Sequence, residues 1–518
     1  MSAAIARPTE PIGHRRVLRI ALPIVLSNAT VPLLGAVDTG VVGQLGQAAP
    51  IAAVGMGAII LASFYWIFGF LRMGTSGLAA QARGAGDDAE AGAILIRGLL
   101  IAFAAGLAFI LLQWLLFSAA FSIAPATAQV EHLARSYLEI RVWGAPATIG
   151  LYAVTGWLIA MERTRSVLVL QVWMNGLNIV LDLLFVLKFG WGVQGVAIAT
   201  LIAEWTGLAL GLWLCRSALM PEFLRDRMRI FDREKLVRMA SVNTDIMIRS
   251  VILQGAFTSF VFLGAGFGEV TQASNQVLLQ FLEITAFALD GFAFAAEALV
   301  GQAVGARSLA DLRRSAIITS QWGVGGAFVL GLGFWLCGPF VIDILTTEPS
   351  VREAARGWLF WVALAPIVGI ACWMLDGIFI GATRTRDMRN AMIVTLIIYA
   401  PTLALLPLAM GNDGLWAALL GLTAVGGLAT AGYQSWLQYF PTASMECGFG
   451  EPTLIEQIVD WFGVLWPAVF MATGFCSSKD WMFLGLSMAN WSGLCFLAFA
   501  IVAGSMLAKS APAGVRAA

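Results

Sequence analysis

The sequence predicts an all-α polytopic membrane protein of two six-helix bundles, with one or two further helices at its carboxyl end. Three observations lead there. Hydrophobic residues make up 59% of 518 and charged residues 12%, about half the charge of an ordinary soluble domain, and mean hydropathy is +0.83. Apolar stretches long enough to cross a hydrocarbon core of ~30 Å as helices recur along nearly the whole chain. The two halves also repeat one another at a spacing of about 220 residues. Gln81-Ala82-Arg83-Gly84-Ala85 returns as Gln302-Ala303-Val304-Gly305-Ala306, and Arg163-Thr164-Arg165 as Arg384-Thr385-Arg386. Gly156 answers Gly377, and Ala145-Pro146 answers Ala365-Pro366. The ten-residue alternation of a membrane barrel is missing. Repeats in a polytopic chain place a cavity at the repeat interface and suggest alternating access.

Twelve core helices are expected at 17–43, 53–82, 92–117, 133–160, 166–188, 193–217, 239–265, 273–303, 314–338, 357–381, 390–410 and 414–437. They form an amino-terminal lobe, 15–217, and a carboxy-terminal lobe, 239–437, joined by a basic linker, 218–238. The apolar run after Arg19 is too long for a cleavable signal and carries Pro23, Pro32 and Asp38. Arginine and lysine set the orientation. One face of these twelve helices carries 21 of them and the other only Arg135, Lys188, Arg352 and Arg356. That asymmetry puts the amino terminus and linker in the cytoplasm; the expected location is a bacterial inner membrane. Residues 438–518 fall outside the repeat and offer apolar stretches near 461–476 and 482–508; their function is not legible.

Ionisable groups at bilayer depth are costly and ask for partners or a wet cavity. Asp38 lies late in the first helix. Asn175, Asn178 and Asp182 recur at i, i+3 and i+7 on the fifth, which is one helical face. Thr200 and Tyr137 begin the sixth and fourth helices at similar depth. Two carboxylates, two amides and two hydroxyls are hard oxygen ligands suited to Na⁺, or a carboxylate pair able to share one proton. The plainer alternative is a polar network pinning helices together. In the second half, Asp245 and Arg249 have the i, i+4 spacing of an intrahelical ion pair. Asp376, with Asp290 and Glu283, is a secondary candidate for contact with cation or substrate, and Arg72 and Arg141 are read as counter-charges for carboxylates. Pro23 and Pro32 are expected to bend the first helix. Asn28-Ala29-Thr30 matches a glycosylation acceptor but falls inside a helix.

No HExxH, GxSxG or metal-ligand cluster can be assembled, so no enzyme and no cofactor is expected beyond H⁺ or Na⁺ as coupling ion. The six cysteines sit in or near apolar segments without CxxC spacing and read as small hydrophobes. Zero formal charge argues for no nucleic-acid partner. The expected partners are the bilayer and small amphipathic molecules, and the chain is expected to be a monomer.

These motifs resemble the multidrug and toxic compound extrusion (MATE) family, in its DNA-damage-inducible branch. The likeness is carried by VPLLGAVDT at 31–39, FLRM at 70–73 running to QARGA at 81–85, NIVLD at 178–182, DIMIRS at 245–250, LDGFA at 289–293 and LDGIFIGATR at 375–384. It covers about 15–437. The resemblance implies two six-helix lobes in a V and cation-coupled export of amphipathic, often cationic compounds. It implies a cation site at Asp38, Asn178, Asp182 and Thr200, with Tyr137 placed only by its distance before Ala145-Pro146. It also implies a first helix bent at Pro23. The tail beyond 437 departs from the family. Rival readings are a lipid-linked saccharide flippase of the same superfamily, which would want a strongly basic cavity, then a membrane-embedded enzyme and a channel.

Overall fold

The computed structural model describes residues 11–44, 47–123, 126–222 and 226–421, with 482–483 and 486–487. Helix dominates these residues, and ten helices among them are long and apolar enough to cross a membrane. The predicted first helix is two: α1 (His14–Ala29) and α2 (Val31–Gly43). Proline 32 has no N–H to offer the carbonyl one turn back, and the Thr30 amide and hydroxyl both bond to the Ser27 carbonyl instead. Pro23 lies inside α1 without ending it. The predicted second helix divides into α3 (Ala48–Ile67) and α4 (Gly69–Gly84) at Phe68, where Gly69 is a poor helix former. Next come α5 (Asp88–Ile123) and α6 (Ala128–Arg141). A 3₁₀ turn (Val142–Gly144) leads into α7 (Ala145–Ala160), whose Pro146 sits in the first turn, where a missing N–H costs nothing. Helix α8 (Thr164–Asp182) passes into a π-turn (Leu183–Lys188), and α9 (Gly192–Leu214) closes the first half.

The linker holds one helical turn, α10 (Arg227–Ile230). The second half supplies α11 (Arg233–Ala265), α12 (Glu269–Gly305), α13 (Leu309–Leu345), α14 (Pro349–Gly381) and α15 (Thr385–Met410). Residues 412–421 are helical too, at the start of the predicted 414–437. Of the tail, Met482–Phe483 pairs antiparallel with Leu486–Ser487. The remainder of both tail stretches lies outside the described residues.

Packing divides the chain into two compact units. One contains the described residues through Ser250 with Ala286–Gly323 and Met374–Thr385; the other contains Val251–Thr285, Val324–Trp373 and the described residues from Arg386. The first has a core running from Val17, Ile20 and Ile24 through Leu71, Leu95 and Leu158 to Leu299 and Ile318. The second is centred on Phe260, Phe281, Trp361 and Trp416. There the Asn275 and Asn412 amides pair with each other, and the Trp416 indole donates to Asn275 at 2.9 Å.

Within the first unit the repeat becomes geometry. Gln81 donates to the Gly381 carbonyl and the Thr383 hydroxyl, each at 3.0 Å. Gln302, 221 positions later, donates to the Ala160 carbonyl at 3.0 Å, and Ala160 lies 221 positions before Gly381. Arg238 donates to the Gln81 side-chain oxygen and Arg16 to that of Gln302, both at 2.9 Å. Glu162 and Thr383, again 221 apart, share the left-handed backbone, at φ 53° and 51°. So do Gly86 and Arg307, at 75° and 54°. That conformation costs a side-chain-bearing residue about 1 kcal/mol or more. Gly84 lies so close to the Gln302 carbonyl, and Gly305 to the Gln81 carbonyl, that neither site has room for a Cβ. Small residues let helix backbones touch in this way.

One half of this clasp is ionic. Arg16 reaches the two Glu162 carboxylate oxygens at 3.0 and 2.6 Å, and Arg83 lies 3.8 Å away. Burial pushes the Glu162 carboxyl up, but the Arg16 hydrogen bond and charge, with Arg83 and Gln302, outweigh it and hold the group below its ordinary 4.5. A depressed carboxyl stabilises the fold above its unfolded value and loses that contribution as pH falls through the folded one. Glu162→Gln is therefore expected to lower thermal stability in detergent by about 1–3 kcal/mol at pH 7. The gap to the native protein should close as pH is taken below 4.5; a gap independent of pH would contradict the ionic assignment.

Candidate functional site

The facial reading of α8 holds in the structure. Asn175, Asn178 and Asp182 are 6%, 1% and 0% exposed, whereas Val172, Trp173 and Val180 on the opposite face are exposed. A wholly apolar groove of about 600 Å³ runs along that outer face, lined by Leu168, Val169, Val172, Trp173 and Gly176 among others. Its lining suits lipid chains and carries no site chemistry. Asp182 is the last α-helical residue before the π-turn. Such turns interrupt the regular i→i−4 bonding and concentrate at functional positions.

The predicted set divides around this face. Asn178 donates to the Thr200 hydroxyl at 3.0 Å, and Thr200 donates to the Val196 carbonyl at 2.9 Å, so α8 and α9 meet through these two side chains. Asn175 instead spans the α1–α2 break. It donates to the Thr30 carbonyl at 3.1 Å and the Thr30 hydroxyl at 2.8 Å, and accepts from Gln171 at 2.9 Å. Asn175 thus ties α8 to the α1–α2 break. The backbone of Asp38 is part of α2, but its side chain lies outside the described residues.

Tyr137 enters a different network. Its hydroxyl accepts from the Arg141 Nε at 3.4 Å, and Arg141 Nη1 lies 2.6 Å from Glu204 on α9. Arg141 and Glu204 are a buried ion pair, their side chains 10% and 8% exposed. Gly144 stands so close to the Glu204 carboxylate that a Cβ would collide with it, so the 3₁₀ turn and its glycine make room for the acid. Tyr137 packs against Gly57 on α3 in the same way. Glu204 escaped sequence reasoning, though it stands four residues beyond Thr200 on the same helical face. Arg141 has the carboxylate partner expected of it, as does Arg72, whose Nη1 is 3.3 Å from Glu297 on α12 and whose guanidinium covers the Phe294 ring at 3.9 Å.

The second-half acids are dispersed. Arg249 is bonded to Asp376 on α14, not only placed for its own-helix neighbour, and Asp245 accepts from the Thr385 hydroxyl at 3.1 Å. The four-residue spacing thus understated the cross-helix pairing. Asp376 thus faces the Arg249 guanidinium. Glu283 is exposed and Asp290 half-buried. Asn28 is within α1 and donates to the Phe287 carbonyl at 3.1 Å, consistent with setting the glycosylation motif aside. Cys215 is buried as expected, but Cys337 and Cys372 are on outward faces. The described residues contain no group of three or more His, Cys, Asp or Glu able to hold a metal.

Comparison with known proteins agrees with this architecture. The MatE family model matches residues 23–184 and 246–405. The chain is 40% identical over 416 residues to DNA damage-inducible protein F of Escherichia coli (strain K12), covering 80% of this chain and 90% of that protein. A crystal structure of the Vibrio cholerae MATE transporter VcmN in the bent form superposes with a TM-score of 0.73 at 20% identity, over 82% of this chain and 97% of that one. The tail has a different relationship. The model "Disulfide bond formation protein DsbB" matches residues 388–506. Disulfide bond formation protein B of Dechloromonas aromatica (strain RCB) is 55% identical over 82 residues, 16% of this chain and 50% of that protein. The chain thus spans about half of that relative.

Removing one member of the Arg141–Glu204 pair leaves the other charge buried and unmatched, at about 3–5 kcal/mol. Glu204→Gln and Arg141→Met are each expected to destabilise the protein by that order. The double variant should recover much of the loss in a thermal double-mutant cycle; strictly additive losses would show that the pair is not coupled.

Proposed function

We propose, from the fact that this chain belongs to the MATE family, that it exports amphipathic, often cationic compounds in exchange for H⁺ or Na⁺. The chain is a multi-pass membrane transporter. The observation that carries the antiport reading is the wholly buried Asp182, one helical turn from the Asn178–Thr200 bond and at the lip of a π-turn. A carboxylate kept at that depth needs compensation, and a cation that comes and goes would alter the charge on which local helix packing depends. Asp38, brought in by its motif, is the proposed second carboxylate. Asn178 and Thr200 are the proposed neutral oxygen ligands, and Tyr137 is set apart with the Arg141–Glu204 pair.

In this reading the cation enters from outside, binds around Asp38 and Asp182, and favours outward release of the exported compound. The cation then leaves on the cytoplasmic side, the arginine-rich face that also carries the Gln81 and Gln302 clasp. One pH unit supplies ~1.4 kcal/mol per proton and 100 mV supplies ~2.3 kcal/mol per charge, enough together for a several-hundred-fold gradient of a neutral substrate. The flippase alternative would want a strongly basic cavity at bilayer depth. Arg72, Arg141 and Arg249 are each bonded to a carboxylate instead.

The tail supports a second, separate reading. The matched segment contains Cys447, Cys476 and Cys495, so we propose that it supplies thiol–disulfide exchange fused to the transporter. This replaces the view of those three cysteines as small hydrophobes.

Export is best measured in proteoliposomes with pH and Na⁺ gradients imposed separately and an ethidium-like cation as cargo. Asp182→Asn and Asp38→Asn are expected to abolish gradient-driven transport while leaving the protein inserted; native rates in either variant would remove that residue from the coupling site. For the tail, alkylation with and without reductant is expected to reveal a reducible disulfide, and full alkylation of all three thiols without reductant would contradict it.

A further inference from the structure

A second cavity, of about 310 Å³, lies in the first unit where the end of α4, the start of α5, the start of α11 and the end of α12 converge. Its charged lining is Asp87, Glu90, Arg97, Lys235, Arg238 and Arg307. Both acids are already engaged. Asp87 receives Arg229 at 2.9 Å on each oxygen. Glu90 receives Arg97 at 2.8 Å and Lys235 at 2.5 Å. Arg97 is 2% exposed and also donates to the Arg229 and Ile230 carbonyls at 2.6 and 2.8 Å, which fastens the linker turn beside the cavity. Arg238 and Arg307 are different. Among the described residues neither has a carboxylate within ion-pair distance. Arg238 uses one nitrogen, Nη2, on the neutral oxygens of Gln81 and Thr383, out of a guanidinium with five N–H donors. Arg307 carries its side chain at a left-handed position whose repeat counterpart is Gly86. Arg307 thus adds a guanidinium to the cavity lining where the repeat counterpart has no side chain.

We infer that this cavity binds a phosphate-bearing anion. Four cations against two carboxylates leave a formal excess of two positive charges, and paired guanidinium groups match phosphate oxygens in geometry as well as charge. The cavity opens at the ends of membrane-spanning helices on the arginine-rich face. Basic pockets between such helices take anionic lipid head groups. The source of the phosphate is therefore an acidic phospholipid, with free phosphate as the competing source of the same chemistry. The site shares Gln81 and Arg238 with the clasp, so an occupant would brace the contacts that join Gln81 to Gly381 and Thr383. The inference is independent of the antiport reading and of the coupling ion.

The test uses the full-length protein in detergent, with phosphatidylglycerol, phosphatidylcholine and inorganic phosphate as separate probes. Retention is followed by native mass spectrometry and by thermal stability. Phosphatidylglycerol is expected to bind and stabilise, and phosphatidylcholine to do neither. Arg238→Gln and Arg307→Gln are each expected to weaken phosphatidylglycerol binding about fivefold. Arg165→Gln, an exposed arginine outside the cavity lining, should leave binding unchanged. Arg307→Gly restores the residue type of the repeat counterpart and guards against misfolding. Binding of inorganic phosphate alone, lost in the same variants, would support the site with free phosphate as its source. Equal losses in Arg165→Gln, or no binding of any phosphate probe, would overturn it.

Discussion

Charge compensation between helices remote in sequence organises the first unit, because at bilayer depth water is not available to do it. At that depth Arg72 is matched by Glu297, Arg141 by Glu204 and Arg249 by Asp376; outside it, between α7 and α8, Glu162 is matched by Arg16. Each tie joins elements that the chain visits far apart, so the ion pairs fix which helices are neighbours as much as they add stability. A buried pair is weak evidence for net stability, but a wrong pairing would strand a charge. That penalty selects one arrangement.

The repeat works on the same face by different means. Its two Gln-Ala-x-Gly-Ala elements each lend a glutamine to the carbonyls of the opposite half, and each has a glycine where the other's backbone presses in. The symmetry is incomplete. Where one side sets Glu162 against Arg16, the other sets neutral Thr383 near Arg238. One half of the clasp is thus sensitive to charge and the other is not. The surplus arginine charge lies on the neutral side, at the phosphate-sized cavity.

Much of this was legible in the chain. The polar face of α8 followed from the i, i+3, i+7 spacing of Asn175, Asn178 and Asp182, and intramembrane Arg72 and Arg141 demanded carboxylates. What spacing could not supply was the identity of distant partners. Arg249 seemed matched four residues away at Asp245, yet it reaches Asp376, 127 positions on, because packing brings α11 and α14 together at a point no local pattern marks. Glu204 was overlooked for the same reason: its partner arrives from α6. The break at Thr30 was announced by Pro32, but the one at Phe68 was hidden inside an unbroken apolar run, where hydropathy stays high while the backbone changes direction. The tail was unreadable by periodicity, and its similarity to a disulfide bond formation protein is carried by residue identities, not by hydropathy pattern.

Asp182, at the α–π junction, is the proposed carrier of the exchangeable cation. Proton and Na⁺ uptake by the purified transporter, measured side by side as pH and Na⁺ are stepped, tests this most directly. The account predicts uptake of one of these cations by the native protein and its loss in Asp182→Asn. Equal uptake by the two proteins would contradict it.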